Sequence, residues 1–470
     1  MFAVPQPARE ELSRREIVAR LRVNALTTFS HRAFEEEVVS RRLFGYRQMM
    51  LNRPDSIRHV LVDNPENYRR STATIRLLYP ITGIGLFLAE GEDWRQQRRA
   101  VAPAFGPRTI PLLAPHVARA TEALVRELRA EKSREIDLSE QMARLALDIA
   151  GRSMFSIEMG EFGSPMRLLL REYGDRLGRP TMLDIALPRL LPAPRDFGRW
   201  QFRRRWLALI RAIIAARRAQ SVVDGPRDLL DLLAVDHETG APVAEARLAD
   251  QVATMIAAGH ATTAMALFWS LFLVASVLEV QERIAAEAGP LDLGPEGAPG
   301  ALPLLVYTRA VVSETLRLYP PAYTIVRVAR KADNAAGVPI ARGAIVNIAP
   351  WVLHRHRSLW REPDAFEPAR FLAGAPPPER FAYLPFGAGP RVCIGAQFAV
   401  TEAVLVLARL VQAFNVARTS DEPVLPVAAI TLQPDHAPGF RLEPRASRRA
   451  HGSAKQNPSR RQNMTGMFAC

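Results

Sequence analysis

The chain has 470 residues, of which 48% are hydrophobic, and its formal net charge is +14. This length and apolar content suffice for one extensive core, and neither a repeat nor a break in composition divides the chain. Its two cysteines exclude a disulfide-stapled secreted scaffold and are typical of the reducing cytosol. The arginines are scattered through helical segments without a nucleic-acid-binding motif, so the basic charge does not indicate a nucleic-acid partner.

The N-terminal part of the chain is mainly helical by its hydrophobic periodicity. Helices dominate from Arg9 to about Ala288, and they include Ser139 to Ile157 and the basic stretch Asp196 to Gln220. A short strand is predicted at Ile57 to Val62. The first ten residues lack the apolar run of a signal peptide or membrane anchor. We therefore predict a cytoplasmic protein without a transmembrane anchor.

The segment Glu92 to Arg99 combines an indole with several guanidinium groups on a predicted helix. Trp94 and Arg98 are four positions apart, so they share one helix face and can reach a common carboxylate. The alternative is a solvated basic face formed by Arg95, Arg98 and Arg99, which fits Arg95 best. For Arg98 we favour the carboxylate ligand.

The longest apolar stretch runs from Val252 to Leu278 and contains no Asp, Glu, Lys or Arg. It is long enough to cross a bilayer, so a lone membrane span is one interpretation. However, Gly259, His260, Thr262 and Thr263 cluster in its middle. Polar groups in that place indicate a functional site in a buried central helix.

Beyond this stretch, one helix is followed by short strands. Glu314 and Arg317 lie three positions apart on a predicted helix that Pro320 and Pro321 end. Taken alone, such a pair is most often a solvated surface ion pair. Strands are predicted at Arg327 to Ala329, Ala344 to Ile348, Ile430 to Leu432 and Phe440 to Leu442.

The most informative segment runs from Phe386 to Gly395 and contains Cys393, the only cysteine before the final residue. Its glycines let backbone N–H groups approach the sulfur, and Arg391 adds a nearby positive charge. A helical run follows the loop, and the dipole at its N-terminus favours a thiolate. One thiolate without other soft ligands suits haem iron better than zinc or an iron–sulfur cluster. The alternative is a buried cysteine in a glycine-rich turn.

This loop matches the pattern Phe-x-x-Gly-x-Arg-x-Cys-x-Gly, and the chain resembles the cytochrome P450 family of haem-thiolate monooxygenases, in its soluble bacterial type. The resemblance spans roughly Leu43 to Arg445 and implies a mainly α fold with small β-sheets, the triangular prism of that family. Haem b is then expected between the long central helix and the cysteine-loop helix, with Cys393 as the axial ligand. We predict one catalytic domain over 1–445 and a basic, disordered tail over 446–470.

The resemblance also implies which residues hold the haem. In the family, the helix that corresponds to Trp94 and Arg98 binds a haem propionate. The matching additional propionate partners are Arg327 and Arg391. Within the cysteine loop, the remaining cofactor-binding positions are Phe386, whose ring can pack beneath the macrocycle, and Gly387.

A second implied arrangement is structural. The segment Phe366 to Phe371 resembles the family segment whose arginine, here Arg370, joins Glu314 and Arg317 in a buried triad behind the haem. Forked hydrogen bonds from two guanidinium groups around one carboxylate can satisfy all three side chains.

The middle of the central apolar stretch resembles the oxygen-binding groove of the family. The implied catalytic residues are Ala258, Gly259, Thr262 and Thr263. Gly259 is expected to let haem and dioxygen approach the backbone, and the Thr262 hydroxyl is expected to hydrogen-bond to the bound oxygen.

One position departs from the family pattern. The residue before the threonine is usually an acid that relays protons, whereas this chain has Ala261. Protons are then expected to move through Thr262 and ordered water, with His260 as an additional carrier. The competing interpretation of His260 is that it packs or hydrogen-bonds on the far side of the helix, and we favour that interpretation.

The resemblance implies a pocket bordered by a loop from Ser71 to Leu88 and by three further segments, Tyr173 to Leu191, Tyr323 to Val326 and Ala429 to Gln433. Because these carry many apolar side chains, we predict a fatty acid, a terpenoid or a steroid-like compound as the substrate. Dioxygen is the co-substrate. Electrons must come from a ferredoxin or flavodoxin with its reductase, because the chain has no flavin or iron–sulfur domain of its own.

Two alternatives to a monooxygenase stay open from the sequence. Ala261 motivates a peroxide-using or isomerising haem-thiolate enzyme. A non-catalytic haem-binding or lipid-binding protein is the alternative from a different class.

Overall fold

A computed structural model describes residues 2–445 except 44, 107, 132–134, 157, 180, 182, 185–186, 188–190, 220–227 and 236–239. The predicted tail over 446–470 therefore lies outside the described residues, as do the last residues of two predicted helices, Ile157 and Gln220.

The described chain is mainly helical, as predicted. Its α-helices are α1 Arg14–Val23, α2 Pro54–Arg58, α3 Thr72–Thr82, α4 Gly91–Val101, α5 Ile110–Ala130, α6 Leu138–Phe155, α7 Gly160–Glu172, α8 Asp196–Arg218, α9 Leu229–Leu233, α10 Glu245–Ser276, α11 Leu278–Ala288, α12 Ala298–Ala301, α13 Val306–Leu318, α14 Pro350–Leu353 and α15 Ala396–Ala413.

The strands form small sheets. They are β1 Val38–Leu43, β2 Tyr46–Leu51, β3 Tyr68–Arg69, β4 Ile136–Asp137, β5 Ile325–Ala329, β6 Asp333–Ala335, β7 Val338–Ile340, β8 Ile345–Ile348, β9 Phe414–Arg418, β10 Pro426–Ala428, β11 Leu432–Pro434 and β12 Gly439–Pro444. The largest sheet has the order β1-β2-β8-β5-β3. In it β2 and β8 run parallel, with Gln48 opposite Ile345, and the other neighbours are antiparallel.

The long helix α10 lies at the centre of the helical core and packs against α6, α15, α13, α8 and α3. Leu267, Phe268 and Trp269 on it are fully buried. Both α10 and α15 are long and apolar enough to span a membrane, but 72% and 61% of their most apolar windows are buried inside the protein. Both are therefore core helices of the protein. For α10, this agrees with the interpretation of its central polar cluster as part of a buried helix.

The strand predicted at Ile57 to Val62 is wrong. Pro54 begins α2, and the Ile57 N–H donates to the Arg53 carbonyl at 3.0 Å, after which the chain continues as a π-helix over His59–Asp63. The buried side chains Ile57, Val60 and Leu61 recur at helical spacing, which outweighs the strand propensity of the β-branched Ile57 and Val60.

The loop predicted from Ser71 to Leu88 is also wrong in its first half, which forms α3. The Ser71 hydroxyl caps this helix by accepting from the Thr74 N–H at 3.1 Å. Pro80 and several threonines lower its intrinsic helix propensity, so packing must hold it. Trp206 of α8 supplies one such contact, because its indole N–H donates to the Ile81 carbonyl at 2.9 Å.

The remaining strand predictions lie close to the observed strands, with one shift. The strand predicted at Ile430 to Leu432 begins only at Leu432, since Ile430 and Thr431 form the turn between β10 and β11. The prediction that helices dominate from Arg9 to about Ala288 missed β1 and β2. Their residues carry arginines and methionines without clear alternation, so the period of two that marks a half-buried strand is weak there.

Candidate functional site

The cysteine loop is held in a tight backbone geometry. The Cys393 N–H donates to the Phe386 carbonyl at 2.9 Å and closes the loop on itself. Gly387 and Gly389 both have φ of +72°, a left-handed conformation that favours glycine. A Cβ on Gly389 would lie 1.9 Å from the Leu61 carbonyl oxygen, so no other residue fits there without a shift of the backbone.

The sulfur of Cys393 faces an accessible side of this loop. The side chain is exposed, yet the surrounding protein atoms desolvate the sulfur enough to raise the pKa of the thiol. Two groups oppose that effect and favour the thiolate, namely the backbone N–H of Gly395 and the positive charge of Arg98. Arg98 is fixed nearby because its guanidinium donates to the Val392 carbonyl at 2.8 Å.

Four arginines converge beside the cysteine loop, from β5, from α4, from the loop itself and from the residue after β3. They are Arg70, Arg98, Arg327 and Arg391, which we call the arginine cluster. Within the described residues, none of the four lies within ion-pair distance of a carboxylate. Arg391 donates to the Ala89 carbonyl at 2.7 Å and stacks over the Trp94 ring at 4.2 Å.

The electrostatics of the arginine cluster show a shortage of negative charge. Burial and repulsion from Arg327 and Arg391 lower the pKa of Arg70 to about 9. Burial and repulsion from Arg391 lower the pKa of Arg327 to about 10. Glu90 opposes the shift in both, but one carboxylate does not balance four guanidinium groups.

Sequence reasoning found three members of the arginine cluster and missed Arg70. Arg70 follows the short strand β3, and its neighbours Arg327 and Arg391 lie more than 250 positions away in the chain. The adjacent Arg69 is exposed, so the pair looks like ordinary surface charge in the sequence. The only local signal is Tyr68, a buried aromatic residue that anchors this segment to β5.

A second group of charged side chains contains Glu314, Arg317 and Arg370, which we call the Glu314 triad. The Glu314 carboxylate accepts two hydrogen bonds from Arg317, at 2.7 and 2.8 Å, and both side chains are fully buried. Arg370 approaches the same carboxylate at 3.5 Å and also pairs with Glu367 at 3.0 Å.

Every N–H group of Arg317 in this triad has an acceptor. Besides the carboxylate, its guanidinium donates to the carbonyls of His354, Pro363 and Ala365 at 2.6 to 2.8 Å. The charge is therefore compensated by Glu314 and the remaining donors by backbone oxygens. The structure thus brings together the three residues that the sequence groups.

The middle of α10 presents a small accessible surface. Ala258 is exposed, and Ala261 and Thr262 are partly exposed, whereas Thr263 is buried. The Thr262 hydroxyl donates to the Ala258 carbonyl one turn earlier, which is a common arrangement for threonine in a helix. A Cβ on Gly259 would contact Met154 of α6 at 3.6 Å, so this glycine adjoins α6.

His260 lies on a different side of α10 from Thr262. It is buried, and neither ring nitrogen has a hydrogen-bond partner among the described residues. Burial lowers the pKa of His260 to about 4, so the ring is neutral at pH 7. A neutral, packed ring agrees with the interpretation of His260 as a residue of the far side of the helix.

The residues expected to border a pocket divide into two groups. Ile75, Leu77 and Leu78 of α3 and Ile325 and Val326 of β5 are partly exposed. Leu86, in contrast, is buried in the main core. Phe87 is 43% exposed, and the guanidinium of Arg70 lies 5.0 Å from the centre of its ring.

These residues fit haem as a bound group. The accessible thiol of Cys393 is suited to ligate iron, and the thiolate is favoured by Arg98. The arginine cluster carries uncompensated positive charge that two carboxylates, such as the propionates of haem, would neutralise. The described residues contain no group of three or more His, Cys, Asp or Glu side chains that could hold another metal.

Comparisons with known proteins point to one family. Residues 23–437 of the sequence match the sequence model of the family Cytochrome P450. It is 33% identical over 380 residues to the cyclooctat-9-en-7-ol 5-monooxygenase of Streptomyces melanosporofaciens, which covers 80% of this chain and 81% of the relative. It is 34% identical over 371 residues to the cyclooctatin synthase of the same organism, covering 76% of this chain and 78% of the relative.

A solved structure agrees with this result at the level of the fold. The heme domain of cytochrome P450DA superposes with a TM-score of 0.80 at 23% sequence identity, and the match covers 95% of this chain and 99% of that domain. The mainly helical architecture with small sheets is therefore shared along nearly the whole chain.

Proposed function

Because this chain belongs to the cytochrome P450 family and is a monooxygenase, we propose that it inserts one atom of dioxygen into a C–H bond of a terpenoid-like substrate. The comparisons described above confirm three predictions from the sequence, namely the family, the fold class and the class of enzyme. We further propose a cytoplasmic location and a ferredoxin or flavodoxin, with its reductase, as the electron donor. The uncompensated arginine cluster beside an accessible cysteine is the observation that carries the proposal.

In this proposal haem b is held by Cys393 and by the arginine cluster. Haem with a cysteine thiolate ligand supplies the iron centre at which dioxygen is activated. Cys393 provides the ligand, and Arg98 and the N–H of Gly395 stabilise its negative charge. Arg70, Arg327 and Arg391 bind the propionates, with Trp94 stacked against Arg391 to fix its guanidinium. Phe386 and Gly387 form the start of the same loop.

The accessible middle of α10 is proposed to face the reacting groups. Ala258 leaves room beside the helix, and the Thr262 hydroxyl holds a proton that it now donates to the Ala258 carbonyl. If that hydroxyl turned from the carbonyl toward the space beside the helix, it could donate its proton there and accept another from water. Ala261 contributes no acid, so ordered water must supply that proton.

The substrate class follows from the apolar side chains and from the relatives. Partly exposed aliphatic residues on α3 and β5 offer no charged partner to a substrate. Two relatives are named for oxidation at cyclooctat-9-en-7-ol or for synthesis of cyclooctatin. Among the fatty acids, terpenoids and steroids that fit an apolar pocket, these names favour a cyclic terpenoid.

An optical titration of the haem-loaded ferric protein tests this proposal. We expect a saturable low-spin to high-spin shift with cyclic terpenoid alcohols and a weaker shift, or none, with fatty acids and steroids. A Cys393→Ser variant should lose the thiolate signature in the ferrous carbonyl spectrum. Wild-type shifts with fatty acids alone would contradict the terpenoid class, and an unchanged spectrum of the serine variant would contradict the ligand.

A second candidate, a peroxide-using enzyme, is motivated by Ala261. Without an acid at that position, oxygen activation that starts from hydrogen peroxide would bypass part of the proton supply. Turnover with peroxide can be compared with turnover on a ferredoxin system at the same substrate concentration. A tenfold excess of the peroxide rate in wild type, lost in Ala261→Glu, would favour this candidate over the monooxygenase.

A further inference from the structure

The carboxylate of Asp333, on β6, holds one short stretch of the chain. Its Oδ2 atom accepts from the Tyr68 hydroxyl at 2.7 Å and from His59 Nε2 at 3.0 Å, because an ionised carboxylate can only accept. The side-chain amides of Asn64, at 3.0 Å, and Asn67, at 3.4 Å, donate to the same oxygen. These four donors lie within ten consecutive residues, whereas Asp333 is more than 260 positions away. One side chain thus restrains a continuous segment.

The segment from His59 to Arg70, which we call the 59–70 segment, reaches the candidate haem site at two places. The π-helix at its start lies against the cysteine loop, where a Cβ on Gly389 would lie 1.9 Å from the Leu61 carbonyl oxygen. Such helices are rare and often occur at functional sites. At the other end of the segment, Arg70 belongs to the arginine cluster. A shift of this segment would therefore reach both the cysteine loop and the cluster.

The hydrogen bonds to Asp333 are a strong restraint compared with other ties of the 59–70 segment. They share a charged acceptor whose side chain is only 14% exposed. β3 contributes two residues of pairing with β5, and the Asn67 carbonyl accepts a hydrogen bond from the Arg330 N–H at 2.8 Å. Glu66 pairs with Arg95 of α4 at 3.1 Å, but an ion pair this exposed contributes little. We therefore expect the segment to loosen when the charge of Asp333 is removed.

We propose that Asp333 is a positioning residue for haem, which acts through the 59–70 segment on both Arg70 and the cysteine loop. Leu61, which packs against that loop, follows His59 by two residues. Arg70 follows Tyr68 by two residues. Each contact with the haem site is thus covalently close to a donor to Asp333. This inference rests on the proposed function, because it presupposes haem at the site.

Three single variants of the full-length, haem-loaded protein separate the two ends of the segment. Tyr68→Phe removes the donor nearest Arg70, so haem transfer to apomyoglobin should be about threefold faster or more, with the thiolate signature of the ferrous carbonyl intact. His59→Phe removes the donor nearest the cysteine loop. At least about a third of this variant should lose the thiolate signature, with haem transfer changed by less than about twofold. Asp333→Asn should show both effects.

A double-mutant cycle tests whether the effect on haem transfer runs through Arg70. In the Arg70→Gln protein, Tyr68→Phe should change the rate of haem transfer by less than about twofold, because the guanidinium that it displaces is already absent. If the effects of the two substitutions multiply in the double variant, the positioning of Arg70 is overturned, since Tyr68 then acts on haem by another route.

Asp228→Asn is the matched control for a general loosening of the fold. Asp228 is also buried, pairs with Arg217 at 2.7 Å and caps the N-terminus of α9. The control should lower the urea midpoint and leave haem transfer and the carbonyl spectrum as in the wild type. Equal haem loss in Asp228→Asn and Asp333→Asn would overturn the proposal. If Asp333→Asn does not fold, the two phenylalanine variants, which keep a ring at each position, decide the question.

The same measurements separate the positioning role from the proposed function. Wild-type protein that binds haem with a thiolate signature, together with unchanged haem transfer and spectra in all three single variants, would overturn the role of Asp333 and leave the proposed function standing. Wild-type protein that takes up no haem, or takes it up without the thiolate signature, would contradict both.

Discussion

The arginine cluster and the Glu314 triad lie in the same protein and use the same side chain, yet their charges are balanced in opposite ways. Arg317 of the triad is fully buried, pairs with Glu314 and donates all its remaining N–H groups to carbonyls. Arg70 and Arg327 of the cluster are also buried or partly buried, but burial and, after it, repulsion from Arg327 and Arg391 lower the pKa of Arg70. Internal compensation is typical of a structural charge, whereas a missing counter-charge indicates a site for an anionic ligand.

The largest effect on the free energy of unfolding should come from removing the negative charge of the Glu314 triad. Glu314→Gln leaves the buried guanidinium of Arg317 without its carboxylate, at a cost of about 3–5 kcal/mol in the free energy of unfolding. Urea unfolding followed by circular dichroism measures the change. Glu92→Gln is the matched control, because Glu92 and Arg95 have the same spacing of three residues on an exposed face. Equal effects of the two substitutions would show that burial does not distinguish these pairs.

A smaller loss in the free energy of unfolding is expected from a substitution of Gly389, which sets the position of Arg391 in the arginine cluster. Gly389→Ala must place a Cβ near the Leu61 carbonyl oxygen at a positive φ, which should cost about 2–4 kcal/mol and displace the cysteine loop. Gly374→Ala is the control, because Gly374 has φ of +89° but a Cβ added there would meet no atom within 4 Å. The control should cost about 1 kcal/mol from backbone strain alone. Identical losses would mean that the contact with Leu61 relaxes freely.

The Glu314 triad and the arginine cluster also show what the sequence can and cannot predict. The cysteine loop is encoded within a few residues, so its spacing identifies it. The Glu314–Arg317 spacing alone indicates a surface ion pair, and only the family resemblance predicts the buried triad. Arg70 becomes significant only through side chains far away in the chain, which no local pattern records. The same holds for α3, whose poor helix propensity is overridden by its contacts with α8 and α10. The strand predicted at Ile57 to Val62 fails for a local reason, because the helical spacing of the buried Ile57, Val60 and Leu61 outweighs the strand propensity of Ile57 and Val60.

Asp333 extends the comparison to a negative charge that is stabilised by several hydrogen bonds. The Tyr68 hydroxyl donates to its carboxylate at 2.7 Å, and Asn64 and His59 lie at 3.0 Å. Hydrogen bonds from Tyr68 and His59 keep the pKa of Asp333 well below its usual range, although desolvation by burial is the largest single influence and acts in the opposite direction. A carboxylate held this way stabilises the fold above the pKa of the unfolded chain, near 4, and loses that contribution as pH falls.

We therefore expect Asp333→Asn to cost about 1–3 kcal/mol at pH 7. The difference from wild type should shrink as the pH falls from about 5 to 3, because Asp333 of the unfolded chain then takes up a proton, whereas Asp333 of the folded protein stays charged owing to its lowered pKa. Urea unfolding at a series of pH values measures this difference, and Asp421→Asn on the exposed surface is the control. A difference that stays constant over this range would show that the charge of Asp333 is not what the three donors stabilise.

The smallest effect on folding, and the sharpest test of the comparison, is expected from Arg70→Gln. Removing one of four mutually repelling guanidinium groups should leave the unfolding free energy of the haem-free protein unchanged or raise it by up to about 1 kcal/mol. In the proposed haem site, the same substitution removes a charge-assisted hydrogen bond to a propionate, so haem should leave the loaded protein about tenfold faster or more. Haem transfer to apomyoglobin measures that rate. Opposite signs in the two measurements would distinguish a binding arginine from a structural one. A loss of folding stability comparable to that of Glu314→Gln, with unchanged haem release, would instead show that Arg70 has a structural role.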